Sequence, residues 1–336
     1  MAALPTPRNS HAIDGRELRY LGGRDVDACL PPLGRQLELA AEALTALASG
    51  DAEMPPKVGV HPRPGALLHA MPAWVRTADL VGVKWVSAFP GNAGRGLPAI
   101  DGLIVLNDPD SGLPTCLMDG ARITAARTAA VTGVAVRLFA PRGTRRVAIL
   151  GGGVQARSHI PVVGFVLPGS EIAVYDRHRD RAEAVAAWAD GQAGISAANA
   201  VSSALEAVAG AQLVVTVAAL GSSSQAMRAD WLDPAALVVA VDFATYVSAE
   251  VARAAAVFVV DDRAQFLAYR DAGYFEGYPD PTETLGEALT ASGAQRRRER
   301  GTAVVTHLGI GIADIIFAHE VRRSAEARSI GITLPR

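Results

Sequence analysis

The sequence predicts an α/β fold with a doubly wound parallel sheet, on three observations. From Gly143 onward, short apolar β-rich runs alternate with helix-compatible segments; strands are expected at 146–150, 171–175, 212–217, 237–241 and 256–260. The run Val147–Leu150 leads into Gly151, Gly153 and Ala156 at the G-x-G-x-x-A spacing, and a helical pattern continues from there. A second strand-like run, Ile172–Tyr175, ends in Asp176, 25 positions after Gly151. Together these make the βαβ fingerprint of a Rossmann dinucleotide-binding domain. Glycines let the backbone approach a pyrophosphate, and the first N–H groups of the helix, lacking internal partners, point at it.

Asp176 is placed to accept hydrogen bonds from the adenosine ribose hydroxyls, which favours NAD. The cations that follow, Arg177, His178 and Arg179, suit a 2′-phosphate, so NADP stays possible. A third departure from loop-like sequence comes near Thr302, where the strand AVVTHL precedes a long helix from Gly311 to about Arg328. That helix is expected to return to the first part of the chain. The Rossmann domain then spans 143–304, and residues 1–142 with 305–336 form a discontinuous α+β domain for substrate binding and dimerisation.

Earlier elements follow in order. Residues 1–16, rich in Pro, Ser and Asn, read as a loose arm without an apolar leader. Asp25–Leu47 has helical spacing, with Asp25 as its cap and Pro31-Pro32 kinking or restarting it. Strand-like pieces follow at 66–71, 80–88, 103–106 and 114–118; the last two flank Asn107–Gly112, a strong hairpin turn. Asp119 and Thr124 are candidate caps of a helix to about Ala140, whose face of Ala125, Ala126, Ala129, Ala130 and Gly133 invites a close neighbour. The short strands of this domain have no obvious cover, so a homodimer through it is expected. The charge run Gln295–Gly301 reads as a solvated segment.

The remaining composition narrows the function. The chain has 336 residues, half of them hydrophobic, and a formal net charge of −2, which argues against a nucleic-acid surface. No apolar run reaches the roughly 18 residues that would span a membrane. Two distant cysteines, Cys29 and Cys116, give no metal spacing and no disulfide framework, and fit reduced thiols in a cytoplasmic protein. No metal is expected.

Several motifs together resemble the ornithine cyclodeaminase and mu-crystallin family, from about Tyr20 to Glu320. They are Met71-Pro72-Ala73, the lysine strand Gly82–Val86 with Pro90 and Asn92, the run Met118–Ala130 through Arg127, the glycine loop Gly151–Ala156, and Leu308-Gly309. The resemblance implies hydride exchange between an amino acid Cα–H and a nicotinamide, through an imine. It implies that Lys84 and Arg127 clamp the substrate carboxylate, Arg127 as a bidentate fork and Lys84 as a point charge. Lys57 occupies the place of a third cation that is commonly arginine, with Arg63 near enough in sequence to compensate. Arg127, Thr128, Gly151, Gly153, Val154, Gln155, Asp176, Arg177 and Leu308 are the implied cofactor contacts.

One departure bears on the reaction. Cyclodeaminases carry an aspartate just past the fourth Rossmann strand, and here that position is Ala244. Asp242, two residues earlier, either replaces it or caps the loop. His307 is a further candidate acid or base, or a structural histidine. The expected catalytic set is therefore Lys84, Asp242 and His307. The leading expectation is an NAD(P)-dependent imine reductase or amino-acid dehydrogenase acting on a small 2-imino or 2-amino acid. Ornithine cyclodeaminase, converting ornithine to proline with the NAD recycled, is the alternative, and a non-catalytic binding protein of the mu-crystallin kind is a third.

Overall fold

The computed structural model describes residues 17–219, 225–290 and 301–335. In chain order the first elements are β1 (Glu17–Leu21), α1 (Gly23–Cys29), α2 (Leu33–Ala48), β2 (Ala52–Glu53), β3 (Val58–Val60), β4 (Leu67–Val75), β5 (Leu80–Ala88), β6 (Ile100–Asn107), β7 (Pro114–Asp119) and α3 (Gly120–Phe139). Then come β8 (Arg146–Leu150), α4 (Val154–Val166), β9 (Ser170–Tyr175), α5 (Arg179–Ala189), β10 (Ile195–Ala200), α6 (Ala204–Val208), β11 (Leu213–Thr216), β12 (Leu237–Ala240), α7 (Ala249–Ala254) and β13 (Val257–Val260). The chain closes with α8 (Arg263–Asp271), β14 (Glu283–Thr284), α9 (Leu285–Thr290), β15 (Ala303–Thr306), α10 (Gly311–Ala327) and β16 (Ile332–Pro335).

The first sheet is mixed, in the order β16-β1-β7-β6-β5-β4-β2, with β3 also on β4. β4 and β5 form a long hairpin from Leu67↔Ala88 to Val75↔Leu80, in which Met71 faces Lys84. The strand expected over 66–71 thus continues through Pro72 to Val75. Pro72 is tolerated because it falls between the stretch of β4 paired with β3 and the stretch paired with β2. The hairpin expected at Asn107–Gly112 joins β6 to β7, with Asn107 Nδ2 donating to the Gly112 carbonyl at 2.8 Å. Asp119 caps α3 by accepting from the Arg122 N–H at 3.0 Å. Thr124 does not cap; it lies inside α3 and donates to the Gly120 carbonyl at 2.7 Å.

The helix expected over 25–47 is two helices, because Pro31-Pro32 ends α1 and restarts the chain at Leu33. Asp25 is not the cap. It stands in the first turn of α1 and accepts from the N–H of the actual cap residue, Gly22, at 2.9 Å. The mixed sheet also has more cover than its sequence suggests: α10 and α3 pack on one face. Its other face stays open, with Trp74 at 37%, Trp85 at 44% and Leu103 at 42% exposure.

The second sheet is wholly parallel, in the order β10-β9-β8-β11-β12-β15-β13-β14. Its central strands are buried on both faces, which is why they read as unbroken apolar runs. Val147, Ile149, Leu213 and Val215 point into the core shared with the mixed sheet. Ala148, Leu150 and Val214 point into a second core built with α7, α8 and an aromatic cluster. β10 was not expected, since Ile195-Ser-Ala-Ala-Asn-Ala200 is an edge strand with little apolar content. α3 lies between α2 and α4, and its small-residue face permits this: a Cβ at Gly133 would sit 2.7 Å from Val162 and 3.2 Å from Leu37. The expected arm, 1–16, and most of the charge run, 295–300, lie outside the described residues.

Candidate active site

The glycine loop stands between β8 and α4, at the carboxyl edge of the parallel sheet. Gly151 has φ +122°, and a Cβ there would meet the Val217 carbonyl at 2.6 Å, so only glycine fits. Gly153 is the N-cap residue of α4, has no side-chain cap, and faces open space within 4 Å of where its Cβ would stand. The first turn of α4 thus keeps free N–H groups beside a space with no side chain, which fits a pyrophosphate. Val154 at the start of the helix is 72% exposed. Asp176, at the end of β9, accepts from Gly152 N–H at 2.7 Å and His178 N–H at 2.8 Å, which fixes its carboxylate against the loop. Arg177 is exposed beside it, and Arg179 pairs with Glu183 at 2.7 Å.

A pocket of about 180 Å³ opens where the strand order reverses, between β8 and β11, as a doubly wound sheet requires. Lys57, Lys84, Arg127, Thr128, Gln155, His307 and Leu308 all line it. The cations are held by a residue that the sequence reading missed. Asp314, fully buried on α10, accepts from Lys84 Nζ at 2.6 Å and Arg127 Nε at 3.0 Å. Burial alone would raise the Asp314 carboxyl, but Arg127 and Lys84 overrule it and hold it low. Burial, reinforced by Arg127, pushes the Lys84 ammonium down to about 7 against the pull of Asp314. Lys57 donates to the Leu308 carbonyl, and burial and then Arg127 lower it to about 8. Arg63 does not join them; it is exposed and donates to the Pro62 carbonyl.

The turn after β15 wraps this cluster. Gly309 has φ +86°, and a Cβ there would collide with the Arg127 guanidinium at 2.5 Å. Asp261 accepts the Gly309 N–H at 2.7 Å, and Gln265 Nε2 donates to the Gly309 carbonyl at 3.1 Å. The remaining wall is apolar and aromatic, including Met71, Val86, Ile100, Phe243 and Tyr269. Tyr269 Oη lies 3.3 Å from His69 Nδ1, and burial, with Lys57 nearby, lowers His69 to about 4.

The expected cofactor contacts Gly151, Gly153, Val154, Asp176 and Arg177 stand outside the lining of the pocket; of the expected catalytic and substrate-binding residues, Asp242 does not line it. Its neighbours Val241 and Phe243 line the wall, and Asp242 points the other way. Its carboxylate accepts from Thr216 Oγ1 at 2.6 Å and Ala218 N–H at 3.1 Å, which ties the ends of β11 and β12 together. Burial raises its carboxyl to about 7. β12 ends at Ala240 and the chain turns here, with Phe243 at φ +58°, so that Phe243 rather than Asp242 lines the pocket. His307 does line the pocket, 1% exposed, with Nε2 2.9 Å from Thr132 Oγ1. Asp314 had one signal in the sequence: a lone carboxylate in the apolar run Ile312–Ala318, which needs a buried partner.

A parallel sheet with a glycine loop, opening at its switch point onto buried cations, defines a nicotinamide-dependent oxidoreductase for an anionic substrate. The chain belongs to the ornithine cyclodeaminase/mu-crystallin family, whose pattern matches residues 28–329. It is 33% identical to the nodulation efficiency protein NfeD of Rhizobium meliloti, over 94% of this chain and 97% of that one. It is 31% identical to the ketimine reductase mu-crystallin of Mus musculus, over 75% and 78% of the two chains. An archaeal alanine dehydrogenase dimer with bound NAD superposes with a TM-score of 0.80 at 25% identity, covering 95% of this chain and 99% of that one.

Proposed function

We propose that the protein is an NAD(H)-dependent imine reductase or amino-acid dehydrogenase that interconverts a small monocarboxylic 2-imino acid and its 2-amino acid. The observation that carries this is the buried cation set beside the glycine loop. Lys57, Lys84 and Arg127 face the carboxylates of Asp314 and Asp261; with all five ionised, three positive charges against two negative leave one positive charge for one substrate carboxylate. The relatives support the chemistry: they include an alanine dehydrogenase and reductases of pyrroline-2-carboxylate and ketimines. The expected cofactor domain, 143–304, extends to Thr306 with β15, and 1–142 with the segment after Thr306 serve substrate and dimer.

The glycine loop and the α4 N-terminus would hold a nicotinamide cofactor, whose chemistry there would be hydride exchange. The protein's own part is positional. Arg127 and Lys84 hold the substrate carboxylate, oriented in turn by Asp314, so that Cα stands at the carboxyl edge of the sheet. The aromatic wall at Phe243 and Tyr269 excludes water. Ornithine cyclisation fits less well, since the described residues lining the pocket include no aspartate or glutamate to receive a second ammonium. The reading also has a homodimer in the cytoplasm, supported by the open apolar sheet face and by two buried free thiols, Cys29 and Cys116.

The test is a panel of imino, keto and amino acids followed at the nicotinamide absorbance, with ammonia measured in parallel. Net oxidation or reduction is expected. Ammonia release from ornithine with no net change in cofactor would replace the reading by cyclodeamination. NADH is expected to bind more tightly than NADPH, because the Asp176 carboxylate repels a 2′-phosphate. Equal or tighter titration by NADPH would assign that role to Arg177 instead.

A further inference from the structure

Behind the pocket wall runs a chain of three side chains that the clamp does not explain: His307, Thr132 on α3 and His159 on α4. Hydrogen-bond logic fixes the proton on each. His159 Nδ1 lies 2.7 Å from the Gln155 carbonyl, which can only accept, so Nδ1 carries hydrogen. His159 is fully buried, and burial lowers it to about 4, so at neutral pH its Nε2 is a bare acceptor. Thr132 Oγ1, 3.0 Å from that Nε2, therefore donates its only hydrogen there. It is left with lone pairs for His307 Nε2 at 2.9 Å, so His307 donates through Nε2. Burial, His159, Arg127 and Lys57 all hold His307 neutral. Its Nδ1 is then a bare acceptor, buried, with no partner among the described residues, on a residue that lines the pocket.

A buried acceptor left unpaired is costly, and it is kept where a ligand brings the donor. The ligand atom follows from the neighbours. His307 is followed by Leu308, whose carbonyl takes Lys57, and by Gly309, which lies against Arg127, so the ring adjoins the carboxylate clamp. In a 2-imino acid the nitrogen sits on the carbon next to the carboxylate.

We infer that Thr132 and His159 lock His307 in its Nε2–H tautomer, so that its bare Nδ1 accepts the N–H of a protonated imine and discriminates against a 2-oxo acid. This rests on the imine reading above. A protonated imine offers an N–H to the lone pair. The corresponding 2-oxo acid has no N–H at that atom and opposes its oxygen lone pair to that of Nδ1. Thr132 and His159 are positioning residues and His307 is the group that touches substrate.

The experiment combines histidine ¹⁵N NMR of the free protein with kinetics on Δ¹-pyrroline-2-carboxylate and pyruvate at saturating NADH, in wild type, Thr132→Val and Thr132→Ser. The wild type is expected to show His307 protonated on Nε2. Thr132→Val should mix the tautomers, lower kcat/KM for the imine by about tenfold or more, and shrink its preference over pyruvate. NADH affinity should stay within about twofold, and Thr132→Ser should restore all three. A wild-type His307 protonated on Nδ1 would overturn the inference. So would a Thr132→Val protein with unchanged tautomer and imine rate, or one that loses NADH affinity in step with rate, which would put Nδ1 on the nicotinamide amide. No turnover of any imine by the wild type would sink the functional reading itself, while the ¹⁵N shifts still decide the tautomer without substrate.

Discussion

Lys84 carries the sharpest chemistry at the scale of single residues. Lys84→Ala removes one charge-assisted bond to a carboxylate, worth about 1.5–3 kcal/mol. Turnover should fall at least tenfold to hundredfold, with NADH affinity kept; near-normal turnover would remove Lys84 from the clamp. Its ammonium titrates near 7, so kcat/KM should decline as pH rises through that value. Denaturation does not mimic this. The folded pKa lies below the unfolded one, about 10.4, so between them the unfolded chain binds more protons and Lys84 adds stability with rising pH. A falling pH–rate profile with undiminished melting temperature is the expected pair of measurements. Asp242 gives the opposite slope. Its folded carboxyl, near 7, stands above the unfolded value of about 3.9, so the stability it contributes falls as pH rises between the two. Asp242→Asn should flatten that slope in denaturant titrations and leave turnover within about threefold, well short of the 10²-fold loss usual for a positioned acid or base. A loss on that larger scale would return Asp242 to the catalytic set.

Among the elements, α3 shows how composition turns into placement. Its glycine and alanines admit α2 and α4 on either side, and this packing carries Arg127 and Thr128 to the pocket and Thr132 behind its wall. Gly133→Ile should destabilise the fold by about 1–3 kcal/mol through overpacking, read as a lower denaturation midpoint; an unchanged midpoint would show that α4 gives way freely. The parallel strands were legible in sequence because burial on both faces leaves continuous apolar runs. The glycine loop was legible because its spacing is tied to a ligand. β10 and β1 were not: β10 is a short edge strand, and β1 pairs only with β7 and β16, both far along the chain. Lys84 and Arg127 were found through motifs, but their partner Asp314 comes from another part of the chain, and no local pattern links residues 230 positions apart. For Asp242 the sequence shows which loop holds a carboxylate and not which way it points, so its two roles stayed open there.

For the molecule as a whole, the proposed homodimer would bury the open face of the mixed sheet. Trp85 on β5 stands opposite Leu103 on β6, and both are exposed in a single chain. A charged residue there would oppose burial against a second copy, so under the proposed homodimer Trp85→Asp should sediment as a 34.9 kDa monomer and the wild type at twice that mass. A monomeric wild type would overturn the homodimer. The two ends of the chain meet in this same sheet: β1 pairs with β16, and α10 supplies both the buried cover of β4 and β5 and the Asp314 carboxylate. During synthesis the parallel sheet has all its strands once Thr306 has emerged. The mixed sheet made before it must wait, with Lys84 and Arg127 lacking a counterion and one face uncovered, until α10 leaves the ribosome. A message cut short before Gly311 would therefore yield a complete cofactor domain attached to a first domain that cannot close, a product exposed to proteolysis.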